Sequence, residues 1–350
     1  MQRKGCAVGM ESAAWSFMLC AFSFQLCFYF FTFTFLLFIF AHPTGGRKQK
    51  TCMSLIYYNS CPLCGSSNIR EVLTAQDYTV SGEKFEVWQC GQCTGRFTQN
   101  VPTSSRIGRY YQSQEYISHS ETRKGLINRL YHSVRKITLR SKANWVKAAT
   151  GLKQGELLDI GSGTGAFLHY MQQNGWKASG LEPDEQAREN AQKIYKVTAQ
   201  PVEQLFSLPP ASFDAITMWH VLEHVHEVHA YLQQIGTLLK PEGAALIAVP
   251  NYTSPDAAHY GPAWAAYDVP RHLYHFSPAA MQQLLEQHNL KIVKKHPMVF
   301  DAFYVSLLSE KYKTGHGRLI AGGWNGFLSY RKALKETDRC SSIVYECRLR

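Results

Sequence analysis

Four cysteines in the first third of the chain have the spacing of a metal-binding site. Cys61 and Cys64 form one C-x-x-C pair, and Cys90 and Cys93 form a second pair after 25 intervening residues. Four thiolates at this separation favour closed tetrahedral coordination of Zn²⁺, which predicts a structural zinc ribbon and not a catalytic metal. Two disulfides or free thiols are the alternative, and a reducing compartment disfavours the disulfides.

Histidines and carboxylates gather in two later segments that could supply a general base. The first is His220-Val-Leu-Glu223-His224, which we expect at the start of a helix, where residues three and four apart share one face. The second, residues 268–276 (DVPRHLYHF), contains His272 in a polar loop. The candidate catalytic residues are therefore His220, His224 and His272. The alternative is that they cap a helix and fix a proline-containing turn.

A glycine-rich loop, residues 161–165 (GSGTG), directly follows an apolar run at Glu156–Ile160. Glycines let the backbone approach a nucleotide closely, and an acidic residue at the end of the next strand can accept hydrogen bonds from both ribose hydroxyls. Glu182 has that place, 17 residues after Gly165. Asp159 lies inside the first strand, where a dinucleotide site usually has an apolar residue, so a different nucleotide cofactor is indicated.

The elements that must position these residues follow from the apolar pattern. Strands are expected at 156–160, 178–181, 212–219 and 244–249, and a helix at 166–174. This alternation predicts a doubly wound α/β sheet, whose ligand loops lie at the carboxyl ends of the strands. Between the cysteine pairs, TVSGEKFEVWQC (79–90) predicts a hairpin that turns at Ser81-Gly82.

Four motifs, in chain order, resemble those of the class I S-adenosylmethionine-dependent methyltransferases. They are LLDIGSGTG (157–165), GLEPD (180–184), SFDAITMWHVLEHV (212–225) and LLKPEGAALIAVPN (238–251). The resemblance covers about residues 155–300. It implies a Rossmann-like seven-stranded sheet whose last strand is antiparallel, and Ser342–Leu349 would be that strand.

The resemblance also implies S-adenosyl-L-methionine as the cofactor. Carried over by motif, Asp159 and the backbone of the glycine loop face its amino-acid end, Glu182 holds the ribose, and Trp219 and Gln200–Leu205 lie beside the adenine and the rest of the cofactor. The implied cofactor-binding residues are Asp159, Gly161, Ser162, Gly163, Gly165, Glu182 and Trp219.

The segment HVLEH resembles the E-V-x-E-H metal site of the ubiquinone-pathway O-methyltransferases. His220 replaces the first glutamate of that motif. This departure argues against a magnesium site, because imidazole suits softer metals.

A zinc ribbon preceding such a domain resembles the sugar C-methyltransferases that act on nucleotide-linked sugars. The first hypothesis is therefore a methyltransferase for a small molecule: a sugar, a quinone precursor or a related metabolite. An RNA methyltransferase that holds phosphates with the ribbon and basic residues is the alternative. A non-enzymatic binding module is a third possibility, which the intact glycines and Glu182 disfavour.

The composition excludes several classes of protein. With 45% hydrophobic residues, 25 Gly and 14 Pro in 350 residues, the chain is neither disordered nor collagen-like. The net charge of +11 is concentrated in residues 106–153, which contain eleven basic and two acidic residues, whereas residues 154–300 contain nine basic and fourteen acidic ones. A nucleic-acid-binding protein would more often spread positive charge across the fold. The basic segment is therefore interpreted as a helical link or cap at 106–150, with Tyr110, Tyr111, Tyr116 and His119 at a pocket rim.

The first 52 residues differ from the rest. Residues 13–41 contain no charged residue and are long enough to span a bilayer. They are either a single-pass anchor that leaves the catalytic part in the cytoplasm, or translated upstream DNA before a true start at Met53. In the second case the protein is soluble and cytoplasmic. The expected organisation has four parts: a hydrophobic segment at 1–52, a zinc ribbon at 53–105, a helical link at 106–150 and a methyltransferase domain at 151–350.

Overall fold

The computed structural model describes residues 55–112, 126–316 and 319–350. The strands are β1 (Leu55–Ile56), β2 (Ile69–Gln76), β3 (Lys84–Cys90), β4 (Arg96–Thr98), β5 (Val101–Pro102), β6 (Glu156–Ile160), β7 (Lys177–Leu181), β8 (Ala199–Gln200), β9 (Phe213–Trp219), β10 (Leu239–Pro250), β11 (Tyr274–His275), β12 (Leu290–Pro297) and β13 (Ser342–Leu349). The helices are α1 (Leu126–Thr150), α2 (Ala166–Gln173), α3 (Glu185–Tyr195), α4 (Val228–Leu238), α5 (Pro255–Tyr260), α6 (Pro278–Glu286), α7 (Val299–Thr314) and α8 (Leu319–Lys335).

A seven-stranded sheet forms the centre of residues 156–350, in the order β12-β13-β10-β9-β6-β7-β8. The strands from β10 to β8 pair in parallel, and β13 is antiparallel to both β10 and β12. This confirms the predicted Rossmann-like sheet with an antiparallel last strand. The central strands are continuous apolar runs because both faces of the sheet are covered, one of them by α1 and α2.

Local sequence signals account for the helices that flank the cofactor edge. Helix α3 begins after Asp184, whose Oδ1 accepts a hydrogen bond from the Ala187 amide at 2.7 Å. Helix α2 begins directly after the glycine loop, with Gly165 as its N-cap in a left-handed conformation and with no side-chain cap. The first turn of α2 therefore leaves backbone amides facing the loop, a geometry that suits a polar ligand.

The cysteine segment folds as a small sheet that shares a strand with residues 156–350. Its order is β11-β4-β3-β2, and β11 belongs to the segment 268–276. Tyr274 pairs with Phe97 across β11 and β4, and the ribbon residues Leu63 and Phe97 pack in the same apolar core as the sheet strands. The cysteine segment therefore packs directly against residues 156–350 and shares their apolar core.

The hairpin between the cysteine pairs differs in detail from the prediction. Strand β2 ends at Gln76, and residues 77–83 form a long turn, so Thr79 and Val80 lie in the turn and not in a strand. The turn is organised by Asp77, whose carboxylate accepts hydrogen bonds from the amides of Thr79, Val80 and Ser81. A side-chain-built turn of this kind leaves no apolar pattern for sequence reading to detect.

Helix α1 lies within the segment 106–150 and packs on the sheet with one apolar face. Ala143, Val146 and Ala149 are buried against the sheet, whereas Ile137 is 50% exposed. The side chains of residues 126–133 are not described.

Several predictions fall outside the described residues. These are the hydrophobic segment 1–52, its possible anchor at 13–41, and the rim residues Tyr116 and His119. In the described ranges, no helix combines the length and apolar character needed to cross a bilayer.

Candidate active site

The glycine loop at the carboxyl end of β6 has a conformation that only glycine allows without strain. Gly161 has φ +73°, and a Cβ there would lie 2.3 Å from the Val221 side chain. Gly163 has φ +54°, and its missing Cβ faces open space. The loop therefore leaves room for a ligand beside Gly163, directly above the carboxyl edge of the sheet.

Glu182, at the end of β7, is tied to this loop. Its Oε2 accepts a hydrogen bond from the Gly163 amide at 2.8 Å, and its Oε1 accepts one from the Asp184 amide at 3.1 Å. The side chain is 8% exposed, and burial raises its pKa, while the two amides oppose that shift. A carboxylate in this position can accept further hydrogen bonds from a ribose diol.

Asp159 lies one strand away and is fully enclosed. Its Oδ1 accepts a hydrogen bond from the Thr217 hydroxyl at 2.6 Å. Burial raises the pKa of Asp159 to about 6, and the Thr217 hydrogen bond and the Lys142 ammonium limit the shift. Sequence analysis did not single out Lys142, which α1 brings to this site.

Ser162 and Trp219 are placed differently from each other. The Ser162 hydroxyl lies against Gly180 of β7 without a hydrogen-bond partner among the described residues. Its amide donates to the Leu181 carbonyl at 3.0 Å. Trp219 packs between Trp145 and Phe167 at the end of β9, and its Nε1 also lacks a described partner.

The donor set fits a nucleoside cofactor with an amino-acid end. Glu182 suits a ribose, the gap at Gly163 suits close backbone approach, and Asp159 suits an ammonium group. The expected adenine-side residues lie in β8 and in a 3₁₀ turn at Val202–Ser207.

His220 is not on a helix, so that part of the sequence prediction is wrong. It lies in a bend with φ +59°, and α4 begins only at Val228. Its Nε2 is 2.9 Å from Asp301 of α7, and its Nδ1 is 3.4 Å from Glu223. Burial alone would lower the pKa of His220, but the two carboxylates outweigh it and raise the pKa to about 10. His220 is therefore a cation at neutral pH and a poor candidate for a base.

Glu223, His224 and His272 form a second group, with one donor atom of each within 4.8 Å of the others. The His224 and His272 rings meet edge to face with centroids 4.5 Å apart. Glu223 is fully buried, and neither carboxylate oxygen has a hydrogen-bond partner among the residues described. The motif placed His220 together with Glu223 and His224. In the structure the third member of this group is His272, from the later loop.

Backbone carbonyls fix the tautomer of both rings. His224 Nδ1 lies 3.0 Å from the Arg271 carbonyl, and His272 Nδ1 lies 2.9 Å from the Ala266 carbonyl. A carbonyl oxygen only accepts, so each Nδ1 carries a hydrogen, and in the neutral ring of His224 the lone pair is on Nε2. Burial and the neighbouring His272 lower the pKa of His224 to about 4, which keeps its imidazole neutral. Tyr111, expected at the pocket rim, places its hydroxyl 3.0 Å from His224 Nδ1.

A buried arginine that sequence analysis missed holds the loop 268–276. The Arg271 guanidinium donates to Asp268 at 2.6 and 2.9 Å, to Asp77 at 3.0 Å and to the Tyr110 carbonyl at 2.7 Å. Its side chain is 1% exposed. The ribbon turn thus shares an ion pair with the loop that carries His272. The only sequence signal was the run DVPRH itself, which gives no hint of Asp77.

The four cysteines converge as predicted. Sγ atoms of Cys61 and Cys93, and of Cys64 and Cys90, are each 3.6 Å apart, and all four lie within 4.8 Å of one another. Disulfide sulfurs lie about 2.05 Å apart, whereas ligands about 2.3 Å from a tetrahedral zinc lie about 3.8 Å apart. The amides of Leu63 and Gln92 point at Cys61 and Cys90 sulfurs. The arrangement fits a tetrahedral metal.

Comparison with known proteins agrees with this geometry. Residues 132–295 match the model of a family described as "Methyltransferase domain". The ubiquinone biosynthesis O-methyltransferase of Idiomarina loihiensis is 26% identical over 46% of this chain and 72% of its own length. The demethylmenaquinone methyltransferase of Tropheryma whipplei is 28% identical over 41% of this chain and 64% of its own.

Among solved structures, magnesium protoporphyrin IX methyltransferase from Synechocystis PCC 6803 aligns with 70% of this chain and 99% of its own, at 14% identity and a TM-score of 0.45. The family match over residues 132–295, the relatives and the sheet topology together support an S-adenosylmethionine-dependent methyltransferase.

Proposed function

We propose that this enzyme methylates a weakly acidic group, such as a hydroxyl, on a small metabolite, with His224 as the general base. The proposal is carried by the cluster of Glu223, His224 and His272. His224 has a free Nε2 lone pair and is half-buried, whereas the other two side chains are buried. It is therefore the imidazole that an acceptor can reach.

When bound, S-adenosylmethionine supplies a methyl group on a sulfonium, and the sulfur leaves with the bonding electrons. The acceptor oxygen forms the new bond to the methyl carbon, and His224 Nε2 accepts the proton which that oxygen loses. The imidazolium so formed lies against Glu223. Burial raises the pKa of Glu223, but the neighbouring histidines outweigh burial and lower it. Glu223 is therefore an anion, which stabilises the positive charge formed on His224. The Arg271 carbonyl keeps the ring oriented throughout.

The relatives support a small-molecule acceptor. Two relatives are named for steps on ubiquinone and menaquinone precursors. We therefore take a phenolic quinone precursor as the first acceptor to test, with nucleotide-linked sugars as the second. RNA is the competing acceptor, because residues 106–153 are strongly basic.

The test is transfer of a labelled methyl group to demethylated quinone precursors, nucleotide-linked sugars and total RNA. We expect a small molecule to be labelled, and His224→Gln to reduce turnover by about 100-fold or more with unchanged cofactor affinity. His316→Gln, on an exposed histidine near the end of α7, is the matched control. Label on RNA alone would contradict the acceptor class, and full activity of His224→Gln would contradict the base.

We also propose that Cys61, Cys64, Cys90 and Cys93 hold one structural Zn²⁺. The support is the tetrahedral convergence of four sulfurs, three of which belong to buried cysteines. With four protein ligands no position remains open for a substrate. The metal would stabilise the ribbon sheet, and through β4 it would support the loop that contains His272.

A further inference from the structure

Lys142 places an ammonium group inside the cofactor edge of the sheet. It lies on α1, and its Nζ is 4.4 Å from the ring centroid of Trp219 and 6.0 Å from that of Phe167. Burial lowers the pKa of Lys142, and the carboxylates of Asp159 and Asp301 oppose the shift. Two aromatic faces and two acids thus surround one cation.

This ammonium has no hydrogen bond or ion pair with any described residue. The acids nearest to it already have partners: Asp159 accepts from Thr217 at 2.6 Å, and Asp301 pairs with His220 at 2.9 Å. The aromatic rings offer only weak compensation for the water that the cation has lost. The Lys142 side chain is half-buried, so its cation is partly desolvated without a partner, and an anionic ligand would offset that cost.

The topology indicates which ligand anion comes to this place. Strand β6 lies between β7 and β9, so the switch point at which ligands bind is the carboxyl edge around β6. Glu182 at the end of β7 marks the ribose side. The other end of an adenosine cofactor therefore extends toward the end of β9, where Trp219 and Lys142 lie. That end of S-adenosylmethionine carries one ammonium and one carboxylate.

We infer that Lys142 binds the carboxylate at the amino-acid end of S-adenosylmethionine, so that helix α1 forms a wall of the cofactor site. Asp159 and the carbonyls of the glycine loop are left for the ammonium. A lysine suits this role because its charge approaches a carboxylate as a compact donor. The inference concerns the cofactor alone, so it stands or falls independently of His224 and of the acceptor class.

The test is calorimetric binding of two ligands to the full chain. S-adenosylhomocysteine has the carboxylate, and its decarboxylated analogue, which keeps the amine, does not. Lys142→Met removes the charge and keeps most of the unbranched side chain, and it should weaken binding of S-adenosylhomocysteine at least about tenfold while changing the affinity for the analogue less than about twofold. Lys142→Arg should recover most of the loss. Lys136→Met, on an exposed lysine of the same helix, should change neither affinity.

A second measurement separates binding from folding. If Lys142 is unpaired without ligand, Lys142→Met should melt at or above the temperature of the wild type in the absence of S-adenosylhomocysteine. It should also gain less thermal stability on ligand addition. Equal losses for both ligands, unchanged affinity for S-adenosylhomocysteine, or a variant that is destabilised without ligand would each overturn the inference.

Discussion

The carboxylate of Glu182 should account for a large share of cofactor affinity. It is held at the edge of the glycine loop by amides of Gly163 and Asp184, so it is already oriented before a ribose binds. Hydrogen bonds to charged groups contribute about 1.5–3 kcal/mol, which corresponds to a loss of about 10- to 150-fold in affinity when the carboxylate is removed. We expect calorimetry to show that Glu182→Ala weakens the binding of S-adenosylhomocysteine by that factor.

The control for this prediction lies three residues away. Glu185 is exposed in the first turn of α3, so Glu185→Ala removes the same charge from the same end of the sheet without touching the loop. It should change the affinity less than about twofold, since exposed charges at this distance are screened. A folded Glu182→Ala protein that binds the ligand as tightly as Glu185→Ala would refute the assignment of the ribose site.

Three further outcomes are expected. Arg271→Ala should reduce the free energy of unfolding by about 3–5 kcal/mol in denaturant titrations, because it leaves buried carboxylates unpaired, and Arg271→Lys should not restore it; near-wild-type stability would contradict this. In the folded protein the pKa of His220 is raised from its ordinary value to about 10. The stability that the protein gains from the His220–Asp301 pair is therefore complete below about pH 6 and is lost as the pH rises toward 10. Asp301→Asn should therefore be most destabilising near pH 6, and a constant difference across that range would refute the ion pair. Elemental analysis should find about one zinc per chain and none in Cys64→Ser, whereas disulfides in the metal-free wild type would contradict the zinc site.

The sequence was most informative where function depends on neighbours along the chain. The glycine loop, Glu182 and the strand ends are local patterns, and the parallel sheet brings them to one edge whatever the details of packing. The four cysteines belong to the same class, because two knuckles and a hairpin suffice to bring them together.

The rest depends on tertiary partners that no periodicity reveals. Arg271 and Asp77 are 194 residues apart, and only the docked ribbon brings them into contact. Lys142 is one of several basic residues on α1, and its inward direction follows from which helix face packs on β9 and β10. His220 adopts a left-handed backbone conformation that its own residue type does not favour, so the expected helix start was misplaced.

The pairing of β4 with β11 determines where the chain can be truncated without loss of folding. The family match begins at residue 132 and ends at residue 295, yet β13 lies between β10 and β12 in the sheet. Before the match begins, Thr98 donates hydrogen bonds from its hydroxyl to the His272 carbonyl and from its amide to the Leu273 carbonyl. A fragment trimmed to the family limits would lose an inner strand and leave Tyr274 of β11 without Phe97, its partner in β4. The smallest unit that folds and works should therefore run from the first ribbon strand to the end of β13, and truncation, domain exchange and library design need to respect those ends.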